Sequence, residues 1–499
     1  MPAVSFNNIP NDIRVPLFYA EIDNSQAGGG GAALRRLLIG QMSDDATGQP
    51  GVLFLATRES DAVAIAGEGS MLAAMYSKFR LGDPAGEVWC LPIKLAAGTA
   101  ASGKFAVTGT ATEAGLLSAY VAGRRVRVTV AVGMTAAQAA TALAAAINAV
   151  ANMPVDAVAA AGEVTLTCKW KGAAGNDIQL EMNRAGLVNG ERTPAGLAVT
   201  VTAVAGGAGS PDMADVLAAV GDEEFEFVCH PYTDTASLDD YAAWMSDISG
   251  RWAWSSQLYG HCYSALRGAV GALVAAGQAR NDPHMTIVGF EAGVAAPVWE
   301  FAAAFAARQA VFISADVARP TQTGQLLGID AAPAGQRFTL TERQSLLSNG
   351  IATTMAPDGV VRIERAVTTY QRNAYGQRDD SYLDSETLHT TAHVVRFLRQ
   401  RITSKYGRHK LANDGTRFGA GQAIVTPSVI RAELIAAYAA LEYQGIVENA
   451  ELFAQYLVVG RNATNPNRVD VLFPPDYVNQ LRIFALLNQF RLQYPEQAA

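Results

Sequence analysis

The 499-residue sequence is short of charge: 17% of its residues are Asp, Glu, Lys or Arg, against about 25% in ordinary soluble domains. It also lacks a basic excess, since 38 Lys and Arg face 46 Asp and Glu for a net charge of −8. That balance excludes a dominant nucleic-acid binder. No long apolar run is present. The longest uncharged stretch, 128–155, contains Gly133, Gln138, Asn148 and Asn152 and changes periodicity halfway, whereas a bilayer helix needs about 20 mainly apolar residues. The N-terminus has neither a basic n-region nor an apolar h-region, so no secretory signal is expected. Only four cysteines occur, without CxxC spacing, which fits a reducing compartment and thiols packed as small hydrophobes. What is plentiful is apolar content, 50% of residues, which excludes intrinsic disorder. A chain of this length holds more than one core, roughly three domains at ~150 residues each.

Residues 1–25 read as an arm. Ile13, Val15, Leu17 and Tyr19 alternate as in a strand, but Pro10 and Pro16 exclude a central sheet position, and the glycines 28–31 form a hinge. Such an arm either edges the chain's own sheet or finds a strand elsewhere. Short apolar runs then alternate with amphipathic helices through 26–95 and again through 211–340. Strands are expected at Leu37-Leu38-Ile39, 88–93, 225–228, 258–263 and 285–290. Helices are expected at 70–79 behind the cap Ser70, at 212–220, at 265–279 and at 298–309. A further helix presents Leu238, Tyr241, Trp244, Met245 and Ile248 on one face. Strands alternating with helices imply an α/β fold with a parallel sheet covered on both faces.

Residues 96–210 interrupt that pattern with Ala, Val, Thr and Gly. Strands are predicted at 104–108, 125–132, 155–159, 164–169 and 197–204. One helix starts at the capping box Thr135/Gln138, with Ala139, Leu143, Ile147 and Val150 on one face. This is a β-rich α/β insertion in a surface loop, where insertions are tolerated, and is expected to be dispensable for the core fold. An α+β region follows over 341–475. It carries a capping box at Thr341/Gln344, a hairpin around 356–359, helices at 383–406 and 427–444, and strands at 455–459 and 469–473. Beyond Pro474-Pro475 the tail 476–499 carries an apolar extended run, 481–487.

Catalytic signatures fail one by one. Residues 98–105 nearly spell a phosphate loop, but Phe105 stands where a hydroxyl should hold magnesium, and a strand follows instead of a helix. His389 and His393 have helical metal spacing without the zincin glutamate, Thr390 being in its place; they read as helix-surface or interface histidines. The pairs Cys229-His230 and His261-Cys262 point to opposite faces of their strands. No GxSxG elbow occurs, and none of the six histidines precedes a glycine as a subtilisin-type triad would want. No enzyme, metal or cofactor is expected. The strongest charge signal is the run Arg396, Arg399, Arg401, Lys405, Arg408, Lys410 and Arg417 against the single acid Asp414. It is either a solvated face or a docking face for an acidic protein.

Several stretches resemble the contractile tail sheath proteins of Mu-type myoviruses: 67–72 (Gly-Glu-Gly-Ser-Met-Leu), 87–92, 221–225 running on to 231–234, and most specifically 465–480. The resemblance is collinear from near residue 5 to near 493. It implies a subtilisin-like parallel-sheet core without a catalytic triad, an inserted outer domain, a C-terminal domain near the tail tube, and terminal arms that add strands to neighbouring subunits. The implied product is a sixfold helical homopolymer around a tube protein, bounded by baseplate and tail terminator proteins, located in the virion tail and, during assembly, in the host cytoplasm. It contracts without nucleotide or metal to drive the tube through the host envelope for genome ejection. Neither nucleic acid nor membrane insertion is implied. A phage-derived injection device is the alternative, and a non-catalytic surface-binding protein a more distant one. Subunit contacts are expected at Ile13, Val15, Leu17, Tyr19, Val469, Val471, Ile483, Phe484 and Leu486. Arms from two neighbours (13–22 and 481–490) would flank the hairpin of 455–459 and 469–473. Arg396, Arg399, Lys405 and Arg408 are expected to face the tube.

Overall fold

The structure, a computed structural model, describes residues 34–492. The predicted arm strand with Ile13, Val15, Leu17 and Tyr19 lies outside the described residues. Strand β1 (Arg36–Gln41) buries the Leu37-Leu38-Ile39 run completely. The short β2 (Phe54–Ala56) is followed by helices α1 (Glu59–Ala66) and α2 (Met71–Gly82), then β3 (Val88–Ile93). The Gly67-Glu68-Gly69-Ser70 stretch is the α1–α2 connection. Gly69 has φ +71°, and a Cβ there would stand 2.1 Å from the Met153 carbonyl oxygen, so only glycine fits. Ser70 Oγ then accepts the Ala73 N–H at 3.2 Å and caps α2 as expected.

The insertion contributes β4 (Ala100–Gly109), β5 (Gly115–Val121), β6 (Arg124–Val130), α3 (Ala136–Asn148), β7 (Val155–Ala160), β8 (Glu163–Lys171), β9 (Leu180–Met182) and β10 (Leu197–Ala205). They form two antiparallel sheets, ordered β10-β4-β8-β7 and β6-β5-β9. All five predicted strands are present, and the Thr135/Gln138 capping box forms reciprocally at α3. Strands β5 and β9 were not expected. β5 buries five consecutive residues, so it shows no alternation to read.

The chain returns through α4 (Met213–Ala218), β11 (Phe227–Cys229), α5 (Thr235–Met245), β12 (His261–Arg267), α6 (Val270–Gln278), β13 (Met285–Phe290) and α7 (Val298–Ala315). The core sheet runs β13-β12-β11-β1-β3-β2, parallel throughout except β2. This is the parallel-sheet core expected. Several boundaries differ. The helix predicted from Ala265 begins at Val270, because residues up to Arg267 pair with β13, a tertiary contact that overrides helix propensity. Helix α5 ends at Met245, so Ile248 is exposed instead of lying on its inward face.

Beyond the core, β14 (Gln325–Asp330), α8 (Leu340–Leu347), β15 (Thr353–Met355) and β16 (Val360–Arg365) build a small antiparallel sheet, β14-β16-β15, with the hairpin turn where predicted. The cap of α8 is Thr339 with Glu342, two residues before the predicted Thr341/Gln344 pair; the same spacing occurs twice, and the glutamate also suits the helix N-terminus. Then follow α9 (Ser385–Tyr406), β17 (Lys410–Leu411), β18 (Ile424–Val425), α10 (Pro427–Tyr443), α11 (Ala450–Tyr456), β19 (Val458–Arg461) and β20 (Val469–Leu472). Gln455 and Tyr456 close α11, so the first hairpin strand starts later than expected. The molecule is thus a mixed α/β fold: one parallel-sheet core with several antiparallel sheets around it.

Candidate assembly site

The insertion leaves the core on a paired stalk, with Thr99 and Ala208 exchanging backbone hydrogen bonds at 3.0 and 3.2 Å. It is clamped down beyond the stalk. Asp177 pairs with Arg267 of β12 at 2.7 Å and accepts the Val298 N–H at 2.7 Å. Arg124 reaches the buried Glu300 of α7 at 2.8 Å, and Trp170 stacks edge-on against Trp299 at 5.3 Å. In an open α/β sheet ligands enter at the strand order's switch point, here the carboxyl ends of β1 and β11. That place is filled. Tyr232 and Gln41 meet the Met71 sulfur there, Gln41 Nε2 donates to the Lys171 carbonyl of the insertion, and all three side chains are buried. A shallow depression of about 390 Å³ beside the stalk is lined by Asp44, Pro50, Lys94, Leu95, Ala96 and Lys171, a set without a nucleophile–base pair.

The core joins α9 through a buried chain of polar groups. The Tyr263 hydroxyl lies 2.8 Å from His389 Nε2, His389 Nδ1 contacts Glu226, and Glu226 pairs with Arg396 at 2.6 Å. Arg396 also holds Glu224 at 2.7 Å and donates to the Tyr259 carbonyl at 3.0 Å. Burial alone would raise the Glu226 carboxyl, but Arg396 and His389 outweigh it and hold it at about 2. The order Tyr–His–Glu imitates a proton relay, yet Tyr263, His389 and Glu226 are all buried. It is a clamp between two parts of the chain. His389 is therefore neither a helix-surface residue nor a metal ligand. No group of three or more metal-ligating side chains exists among the described residues. Lys104 of the near-phosphate loop sits on β4, paired with Glu163 at 2.9 Å. All four cysteines are free and buried, and burial pushes every thiol up, so they are unreactive.

The basic run is divided by its partners. Arg396 is committed to the Glu226/Glu224 clamp, so its side chain is not offered outward. Lys405 and Arg401 share the buried Glu433 of α10 at 2.6 and 2.5 Å, with Lys405 still more than half exposed. Arg399 is exposed over Tyr259 and donates to the Gln257 carbonyl at 3.1 Å. Arg408 is exposed, with no ion pair among the described residues. Sequence reasoning missed the acids that sort this run; the only signal for Glu226 is a charge between two buried phenylalanines, Phe225 and Phe227.

Val469 and Val471 lie on β20, opposite Arg461 and Val459, in a hairpin that is two-stranded among the described residues. The stretch 473–482 then docks on the body. Asp476 and the Tyr438 hydroxyl bond in both directions, Val478 N reaches the Ile446 carbonyl at 3.2 Å, and Arg482 sits 3.1 Å from Glu386 and 3.3 Å from Asp384. Beyond Arg482 the chain carries Ile483, Phe484, Leu486, Leu487, Phe490 and Leu492, between 77% and 97% exposed. Among the described residues the extended run has no strand partner, and it does not form the strand its sequence suggests.

Among the described residues a well-packed body ends in a two-stranded hairpin and an exposed apolar tail, features that fit a subunit of an assembly. The phage tail sheath protein central domain matches residues 206–369 and the phage tail sheath C-terminal domain matches residues 377–491. The chain is 39% identical over 496 residues to the Mu-like prophage FluMu tail sheath protein of Haemophilus influenzae, covering 98% of this chain and all of that one. The chain belongs to the phage tail sheath family, as a structural, non-enzymatic component of the virion's contractile tail sheath. Among solved structures it is similar to the sheath tail protein of Desulfitobacterium hafniense (15% identity, 94% of this chain, 97% of that one, TM-score 0.49). It is also similar to the contracted PVC sheath of an extracellular contractile injection system (12%, 97%, 99%, 0.45).

Proposed function

We propose that this sheath subunit polymerises around a tail tube as a sixfold helical homopolymer, held between baseplate and tail terminator proteins, and that the polymer shortens to drive the tube outward. The observation that carries this is the apolar tail beyond Arg482, whose large side chains are exposed in the described subunit. Extended segments bind unpaired strands through main-chain hydrogen bonds with little sequence demand. The hairpin of β19 and β20 supplies such edges, to be flanked by residues 13–22 and 481–490 of two neighbours. In this reading the core (26–95 with 211–340) is a subtilisin-like scaffold stripped of its triad, 96–210 is the outer domain, and 341–475 faces the tube. Arg399 and Arg408, with Lys405 still more than half exposed beside Glu433, are the expected residues that can meet an acidic tube; Arg396 serves internally. Deleting residues 1–25 or 483–499 is expected to leave a folded, soluble chain that forms no tubes by electron microscopy. Normal tubes from both truncations would contradict the proposal.

A further inference from the structure

The tail's attachment is sharply bounded. From Asp476 to Arg482 contacts recur at nearly every residue: Asn449 Nδ2 donates to Asp476 at 2.7 Å, Gln480 Nε2 donates to the Ala318 carbonyl at 3.0 Å, and Gln322 Nε2 donates to the Leu481 carbonyl at 3.3 Å. The last fixed point is ionic. Arg482, about nine-tenths buried, lies between Asp384 and Glu386 at the start of α9. Glu386 is fully buried; besides Arg482 it accepts only from Thr321 N and Oγ1, at 3.1 and 2.8 Å, and from the neighbouring Ser385 hydroxyl. Asp384 has its own bidentate partner, Arg365, at 2.8 and 2.9 Å. Among the described residues Arg482 is thus the one cation within ion-pair distance of Glu386. None of its N–H groups is aligned for a full hydrogen bond, so charge alone seats it.

We propose that Arg482 is the fixed root of the C-terminal arm: it stays in the Asp384/Glu386 seat, and only the chain from Ile483 onward exchanges partners between subunits. Withdrawing Arg482 would strand a fully buried carboxylate, and breaking such a pair from one side is strongly unfavourable, whereas Ile483, Phe484, Leu486 and Leu487 are already at least three-quarters exposed. The seat also sits on the first turn of α9, the helix whose later turns carry Arg399 and Lys405. A pull on the arm is therefore delivered to that helix as well as to the 318–322 loop that holds Gln480 and Leu481. This inference rests on the proposed arm exchange, but its first test does not.

Limited chymotrypsin digestion of the full-length chain, with new C-termini read by mass spectrometry, is expected to cut at Phe484 and beyond while sparing the part-buried Tyr477. Arg482→Met should lower thermal stability and speed cleavage at Tyr477 at least tenfold. The double variant Arg482→Met/Glu386→Gln removes the stranded charge; it should regain the lost stability yet keep the fast cleavage and fail to form tubes. A double variant that recovers the original cleavage pattern and assembles would overturn the proposal, reducing Arg482 to a charge balance. So would a single variant whose cleavage pattern does not move. If the pattern shifts as expected but the unaltered chain never polymerises, the root stands and the arm-exchange reading falls.

Discussion

Asp177, carried by the insertion, accepts the backbone N–H of Val298 and so caps the core helix α7 from a different part of the fold, at 2.7 Å. The same carboxylate holds Arg267 at 2.7 and 3.1 Å. A core helix that borrows its cap from the insertion is not independent of it, which bears on the expectation that 96–210 is dispensable.

Asp177→Ala is therefore expected to cost about 2–4 kcal/mol, combining a lost helix cap with an unpaired, nearly buried Arg267. Urea unfolding measures it. Replacing 96–210 by a short Gly/Ser linker should destabilise the core further, since Trp299 and Glu300 would lose Trp170 and Arg124. An excised chain as stable as the full one would show the junction to be merely adjacent.

Glu226→Gln should cost about 3–5 kcal/mol, because Arg396 would lose the buried half of its pairing and His389 its carboxylate. Arg396→Met/Glu226→Gln together should cost less than the sum of the two single changes, as expected for groups in contact. Additive losses in a double-mutant cycle would mean that the two side chains do not act as a pair.

Acid should weaken the fold in a defined window. Burial holds His230 down at about 3 and His261 well below its ordinary value. Both are neutral in the folded chain while the unfolded chain takes up protons below about 6.5, so stability falls as pH drops from about 6.5 towards 3. The slope is on the order of 1.4 kcal/mol per pH unit for each histidine. Glu226, lowered to about 2, adds a second loss as pH falls from roughly 4.5 through 2. Urea midpoints that stay level from pH 7 to pH 5 would refute the first part; His261→Gln should flatten the slope measurably.

Charge reversal at Arg399 and Arg408 should weaken co-assembly with an acidic tube while sheath-only polymers still form, with the effect growing at low salt. Arg396→Glu should instead damage the fold itself, because it would set three carboxylates together in a partly buried site. Equal behaviour of the three variants in folding and in tube binding would remove the distinction drawn between them.

Local pattern settled much of this protein. Leu37-Leu38-Ile39, 285–290, the Thr135/Gln138 box and the hairpin at 356–359 are short-range signals: apolar period, caps and turn residues act within a few residues of themselves. The family was legible for a similar reason, since 465–480 is one continuous stretch of turn, strand, proline break and docking tail. Tertiary structure decided the rest. Whether Ala265 belonged to a helix depended on β13; whether Arg396 was an outward charge depended on Glu226, 170 positions earlier in the chain. Seven basic residues in a row look alike in sequence, and only the acids brought from distant strands and helices separate the paired from the free. The same holds for the arm. Its apolar run was visible at once, but the point where it stops being body and becomes arm is set by Glu386, far off in sequence and buried against Arg482, because a charge without water must be met by another charge wherever the chain can bring one.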